Sequence, residues 1–208
     1  MALLILAFTA MGSHLYIHAE ETAAPPGDST LHLELFDYPG HTIGLPIPWE
    51  ARKGIWGKAD PADIYYTIKQ EDGNQYLSAQ TDNDAVDAGR PADVNLRIYN
   101  KLRWRWRAWS LPVGANEEER DRNDSGAAVR IVFKGGLQAR MLKYVWSSSL
   151  PKGTETESAG NSKIKVVVLQ SGTARLGEWV WEEVNAYEDY KRLFGGEPRT
   201  VQILGVIT

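Results

Sequence analysis

Lys101-Leu102-Arg103-Trp104-Arg105-Trp106-Arg107-Ala108-Trp109 reads with a period of two. A strand turns successive side chains to opposite faces, so Leu102, Trp104 and Trp106 share one side and Lys101, Arg103, Arg105 and Arg107 the other. The apolar side asks for a core; the basic side asks for water or an answering anion. Outward from this segment, short runs rich in β-branched and aromatic residues recur between turn signals. They are Leu31–Phe36, Ile64–Lys69, Tyr76–Gln80 and Val94–Tyr99 before it, and Ala127–Phe133, Met141–Trp146, Ile164–Gln170, Trp179–Glu183 and Val201–Ile207 after it. That spacing predicts an all-β, antiparallel β-sandwich of jelly-roll type rather than alternating βαβ units.

The clearest hairpin runs from Asp63 to Gln80 and turns on Gln70–Asn74, where Gly73 can take a positive φ. One or two short helices interrupt the strands. Asn185 and Glu188 stand at the N-cap and N3 positions of a capping box, Gly195 supplies the stop, and Tyr187, Tyr190, Leu193 and Phe194 form an apolar stripe. Asn116–Glu119 starts a second, shorter and more exposed turn. Pro151–Ser162 is polar and reads as a flexible loop.

Composition narrows the function. The 208 residues carry 23 basic and 27 acidic side chains, net −4, which lacks the basic footprint of a nucleic-acid binder. There is no cysteine, so disulfides, thiol catalysis and thiolate zinc sites are excluded in this chain. The four histidines all fall within the first 41 residues, which leaves the rest of the sequence without the imidazole of a serine triad or metal cage. Ala2–Ala10 is an apolar run too short to span a bilayer, followed by small residues at Gly12 and Ala19. It predicts a signal-peptide segment over residues 1–19, although no Lys or Arg precedes it; the other reading is a buried apolar strand. A Pro-rich linker over 20–30 and one sandwich domain over 31–208 follow, in the periplasm or secreted. No second stretch is apolar enough to span a membrane.

Arg103, Arg105 and Arg107 are candidate anion ligands, because guanidinium forks suit phosphate, sulfate or uronate groups. The internal alternative is Glu117–Asp124, whose acids lie close in sequence. Trp109 is a candidate stacking platform for a sugar ring, as are Trp146, Trp179 and Trp181, although the paired Trp179 and Trp181 read as core before platform. Asp82-Asn83-Asp84 with Asp87, and Asp121 with Asn123-Asp124, offer the hard oxygens calcium favours, although neither set has the EF-hand register. Asp124 is the candidate metal ligand there, or else the partner of an arginine. Glu178 and Glu182 are the carboxylates that a hydrolase would use across a glycosidic bond, while Glu188 fits the capping box better.

Several of these segments together resemble the bacterial family called domain of unknown function 3047. They are Leu102–Arg107 with its L-x-W-x-W pattern, Asn123-Asp124 followed by Val129–Phe133, Leu142–Trp146, and Trp179 with Asn185–Tyr190 and Phe194-Gly195. The resemblance covers roughly residues 45 to 208 and implies an exported β-sandwich; it implies no activity. Ala127-Ala128-Val129 and Val184 stand where the family usually carries arginines. The family also continues past Thr208 with an acidic D-x-D stretch and a last strand, so a C-terminal truncation is expected. The reading favoured is an exported module that binds an envelope or extracellular glycan, anionic glycans included, with calcium as an optional cofactor. Its rivals are an envelope carbohydrate hydrolase and a scaffold for protein partners.

Overall fold

The computed structural model describes residues 2–7, 30–52, 65–81 and 86–208. In chain order the strands are β1 (Ala2–Ala7), β2 (Glu50–Arg52), β3 (Tyr66–Glu71), β4 (Asn74–Thr81), β5 (Asp87–Val94), β6 (Lys101–Ala108), β7 (Ala127–Phe133), β8 (Met141–Ser147), β9 (Glu155–Ser158), β10 (Asn161–Ser171), β11 (Val180–Asn185) and β12 (Val201–Ile207). The helix α1 (Ala186–Phe194) joins the last two. They form a five-stranded sheet in the order β11-β6-β1-β4-β3 and a seven-stranded sheet in the order β2-β5-β12-β7-β8-β10-β9. No helix among the described residues is long and apolar enough to cross a membrane.

The two sheets pack face to face over an aromatic core. Trp104 and Trp106 of β6 are fully buried, as the period of two requires. Trp104 meets Tyr144 at 5.7 Å between ring centres, and Trp106 meets Trp146 at 5.9 Å, so β6 of one sheet is bolted to β8 of the other. Each such aromatic pair contributes about 0.5–1.5 kcal/mol beyond its buried area. The hairpin forms where expected, on a tighter turn. Glu71 pairs with Asn74, leaving Asp72 and Gly73 at φ 51° and 76°, the two positive angles that match the twist of flanking strands.

Helix α1 starts and stops at the residues singled out for it. The Asn185 side chain accepts a hydrogen bond from Glu188 N–H at 3.1 Å, and Gly195 sits at φ 69° with its N–H donating to the Lys191 carbonyl. Tyr190 buries its ring 4.6 Å from Phe133, so the helix closes one end of the sandwich.

Several expectations need correction. The sandwich is not wholly antiparallel: β10 lies parallel to β8. Strand β9 returns along the far side of β10, and so leaves the place beside β8 to β10. This β9 also comes from the stretch expected to be a flexible loop. Leu31–Phe36 is a strap rather than a strand, because it wraps the buried Glu34. That carboxylate accepts from the Leu35 and Phe36 amides, Trp49 Nε1 (2.6 Å), Tyr38 Oη (3.0 Å) and Arg90. Phe36 is held at φ 55° with its ring fully buried. Val94–Tyr99 is mostly turn, and the strand lies before it, as β5. Asn116–Glu119 makes a turn, followed by a single 3₁₀ turn at Arg120–Arg122.

Ala2–Ala7, read from sequence as part of an export signal, runs as the middle strand of the five-stranded sheet. It is antiparallel to β4 (Ala2 opposite Thr81) and to β6 (Ala7 opposite Arg105). The rest of the apolar run, residues 8–10, and the linker as far as residue 29 lie outside the described residues. With a neighbour on both sides, β1 has no free edge, and a proline there must remove a ladder hydrogen bond. Ile5→Pro is therefore expected to destabilise the chain by about 2 kcal/mol or more, roughly 4–8 °C at this length. An unchanged melting temperature would contradict the placement of β1.

Candidate functional site

The outer face of β6 and β11 carries an interleaved stack of arginine and tryptophan. The two strands are antiparallel, with Trp181 opposite Arg105 and Glu183 opposite Arg103. Alternation turns Val180 and Val184 inward, and therefore Trp181 and Glu183 outward, onto the face that also holds Arg103 and Arg105. The guanidinium of Arg103 lies 4.5 Å from the Trp181 ring centre. Arg105 lies 4.8 Å from Trp179 and 5.8 Å from Trp181, and Arg107 lies 4.5 Å from Trp179 and 4.7 Å from Trp109. The order along the face is thus Arg103, Trp181, Arg105, Trp179, Arg107, Trp109. Cation–π contacts of this kind are worth about 0.5–1 kcal/mol each at exposed sites. Trp109 is held in turn by Gly177, where a Cβ would come within 3.3 Å of its ring.

Of the four cations of β6 on this face, the outer two, Lys101 and Arg107, are ion-paired and the inner two are not. Lys101 pairs with Glu183 at 2.8 Å. Arg107 is almost buried and donates twice to Glu71, at 2.8 and 3.3 Å; Trp179 Nε1 donates to the same carboxylate at 3.2 Å. Those hydrogen bonds, and Arg107 first among them, hold the Glu71 carboxyl below its ordinary range. Arg103 and Arg105 form no direct ion pair among the described residues, although Glu183 acts on Arg103 and Glu71 on Arg105 at longer range. The Arg105 Nε–H is buried with no acceptor there, and burial makes its guanidinium somewhat easier to deprotonate than usual. The expected internal answer, Glu117–Asp124, does not reach this face. Glu117 is fully buried instead, accepting from Ser125 Oγ at 2.9 Å and Ser147 Oγ at 2.7 Å, and Glu119 pairs with Arg122.

Beside the Arg103 end opens a cavity of about 590 Å³, a size typical of small-molecule sites. Leu33, Leu96, Ile98 and Leu102 give it apolar walls, and Arg103 and Trp181 belong to both cavity and ladder.

The four residues proposed from sequence for ligand binding, Arg103, Arg105, Arg107 and Trp109, therefore share one face. Glu71 and the outward Trp179 and Trp181 complete it. Glu71 sits at a turn 36 residues from Arg107, and nothing in its local sequence marks it; the spacing of two signals that Trp179 and Trp181 share a side, but that side is the outer face and not the core their sequence favours.

The other candidates lie elsewhere. Asp124 accepts from Ser125 N–H at 2.8 Å and stands near the buried Lys143, whose ammonium is destabilised by burial and partly rescued by Glu117 and Asp124. No group of three or more His, Asp or Glu side chains suited to a metal ion comes together among the described residues. Asp82, Asn83 and Asp84 lie outside them, and Asp87 is ion-paired with Arg130. Glu178 is tied to Arg175 at the surface, whereas Glu182 accepts from Trp106 Nε1 (3.2 Å) and Gln170 Nε2 (2.7 Å). Neither lines the cavity. Burial raises the Glu182 carboxyl above its ordinary value.

Residues 58–208 match the family model described as protein of unknown function, DUF3047. The chain belongs to the DUF3047 family. Curated proteins yield no match to it. The match covers all of β3 to β12, so in this DUF3047 protein the ladder and the walls of the cavity contributed by β6 and β11 fall inside the family region.

Glu71 and Glu182 should titrate with opposite effects. Glu71 has a lowered folded pKa, so it stabilises the fold above about 4.5 and loses that contribution as pH falls through the lowered value. Glu182 has a raised one, so it costs stability increasingly as pH climbs past 4.5 toward that value. Relative to wild type, the melting temperature of Glu71→Gln should fall as pH rises toward about 4.5 from below, and that of Glu182→Gln should rise as pH climbs above about 4.5. Slopes of the same sign would refute the assignment.

Proposed function

We propose that this DUF3047 protein is a binding module for an anionic glycan, with the acidic group on Arg103 and Arg105 and the saccharide extending into the adjoining cavity. The observation that carries this is the pair of guanidiniums, Arg103 and Arg105, left without a direct ion pair between the paired Lys101 and Arg107. Tryptophan rings lie 4.5–5.8 Å from both, so less side-chain freedom remains to be lost on binding. The guanidinium N–H forks suit a carboxylate, sulfate or phosphate. Neutral sugars fit less well as the primary ligand, since Trp179 lies between Arg105 and Arg107 and the rings of Trp181 and Trp109 each have a guanidinium against them. Trp109 acts in this reading mainly by holding Arg107, with its exposed edge available to a sugar. A hydrolase built on Glu178 and Glu182 has less support, because the two carboxylates share no cleft with the ladder.

A melting-temperature screen against uronate-bearing, sulfated and neutral oligosaccharides, with and without calcium, tests the reading. A ligand at a hundred times its Kd stabilises by about 2.7 kcal/mol, several degrees for this chain. Anionic oligosaccharides should give a saturable rise that Arg105→Gln removes. Equal rises in wild type and Arg105→Gln, or a rise with neutral sugars only, would defeat it.

Placement in the periplasm or outside the cell belongs to the same proposal, and rests on the composition of residues 1–19. Cleavage near residue 20 would remove β1 from the middle of the five-stranded sheet, so for residues 2–7 the strand and the cleaved signal are alternatives. The intact mass of protein recovered from its own host decides between them: a chain starting near residue 20 supports export by cleavage, and a mass that includes Met1 refutes it and leaves β1 in the sheet.

A further inference from the structure

A second set of cations converges away from the ladder, where the end of α1 meets the starts of β8 and β10. Arg140 donates to Tyr190 Oη at 3.1 Å, and its guanidinium lies 5.1 Å from the Phe194 ring centre and 5.7 Å from that of Tyr190. Lys165 brings its ammonium to 5.7 Å from the same Phe194 ring. Lys163 donates to the Leu137 carbonyl at 2.8 Å. With Gln138, Ser162 and Leu193 these residues line an open cleft of about 250 Å³.

The charges do not balance. Glu157 pairs with Lys165. The other nearby acids, Glu155 and Asp189, are taken by Arg192, and Asp189 also accepts from Tyr144 Oη. Arg140 and Lys163 have no ion pair among the described residues; with Arg192 and its two carboxylates counted, four cations stand against three carboxylates, an excess of one positive charge. The C-terminal carbonyls of α1 offset at most about half a charge. The cations are also held in place: Arg140 by a phenol and an aromatic face, Lys163 by a carbonyl, Lys165 by its ion pair. Mutual repulsion of fixed cations is relieved by an anion with several acceptor oxygens.

We propose that this cleft binds a compact oxyanion, a phosphate or sulfate group, with Arg140 and Lys163 carrying the charge and Ser162 and Gln138 offering neutral donors. The site is independent of the ladder. A free inorganic ion and an ester on a saccharide present the same chemistry, and titration separates them.

The test follows backbone amide NMR shifts around Lys163 and Phe194 on addition of inorganic phosphate, inorganic sulfate, a sulfated disaccharide, or sodium chloride at matched ionic strength. The expected result is a saturable shift with the oxyanions and none with chloride. Lys163→Gln, at an exposed position, should weaken it at least fivefold, while Arg105→Gln leaves it unchanged. Tighter binding of the disaccharide than of sulfate identifies an ester as the ligand; equal binding identifies the free ion. Equal response to chloride, or undiminished binding in Lys163→Gln, would overturn the proposal. Loss in Arg105→Gln but not in Lys163→Gln would move the oxyanion to the ladder instead.

Discussion

Strand β6 meets two opposed demands within eight residues. One face supplies two indoles to the core between the sheets, and the other holds a row of cations above it. The alternation of a strand is what makes both possible, since a one-residue slip would put the arginines in the core and the indoles in water. Once β6 is fixed, β11 has little freedom: its inward positions need valines or a neutralised group, and its outward positions lie between guanidiniums. Trp179 and Trp181 fill the outward places, and the ladder follows. The inward Glu182 is tolerated because Trp106 and Gln170 donate to it, although its pKa is raised.

The seven-stranded sheet handles charge differently. Its outer face buries Arg130 with Asp87, and Lys143 with Ser125, Glu117 and Ser147. Arg130 lies flat across β12 and β5, which only glycine permits at two points. A Cβ on Gly205 would fall 2.6 Å from Arg130 Nε, and one on Gly89 would fall 3.0 Å from its terminal nitrogen. Buried ion pairs of this kind add little net stability, but removing one partner is strongly destabilising. They set register and position, and leave the exposed, half-paired arginines of the other sheet as the place where charge can act on a ligand.

How much of this was legible depends on whether the signal was local. Strands β6, β7 and β12 and helix α1 could be read because periodicity, β-branching and a cap lie within each segment. Strand β5 could not: Asp87–Val94 contains glycine and proline, and it is a strand because β12 and β2 pair with it on either side. The strap at Leu31–Phe36 has a strand-like composition, yet Glu34 draws five donors around itself and bends the chain. Glu117 looks like part of a solvated acidic run; two serines and a lysine, the farthest 30 residues away, are what bury it. At the candidate site the arginines and Trp109 were visible in one strand. Glu71 was not, because its role exists only once the hairpin of β3 and β4 joins the sheet beyond β1 and its turn end reaches the Arg107 side chain.

In the proposed binding mode Arg103 and Arg105 are held open for an anion rather than serving only as surface braces. Arginine Nε–H signals report this directly, by NMR titration with a uronate-bearing oligosaccharide. Saturable shifts are expected at Arg103 and Arg105, accompanied by the Trp181 indole N–H, with Arg107 still locked to Glu71. Shifts confined to other residues, or none at saturating ligand, would contradict it.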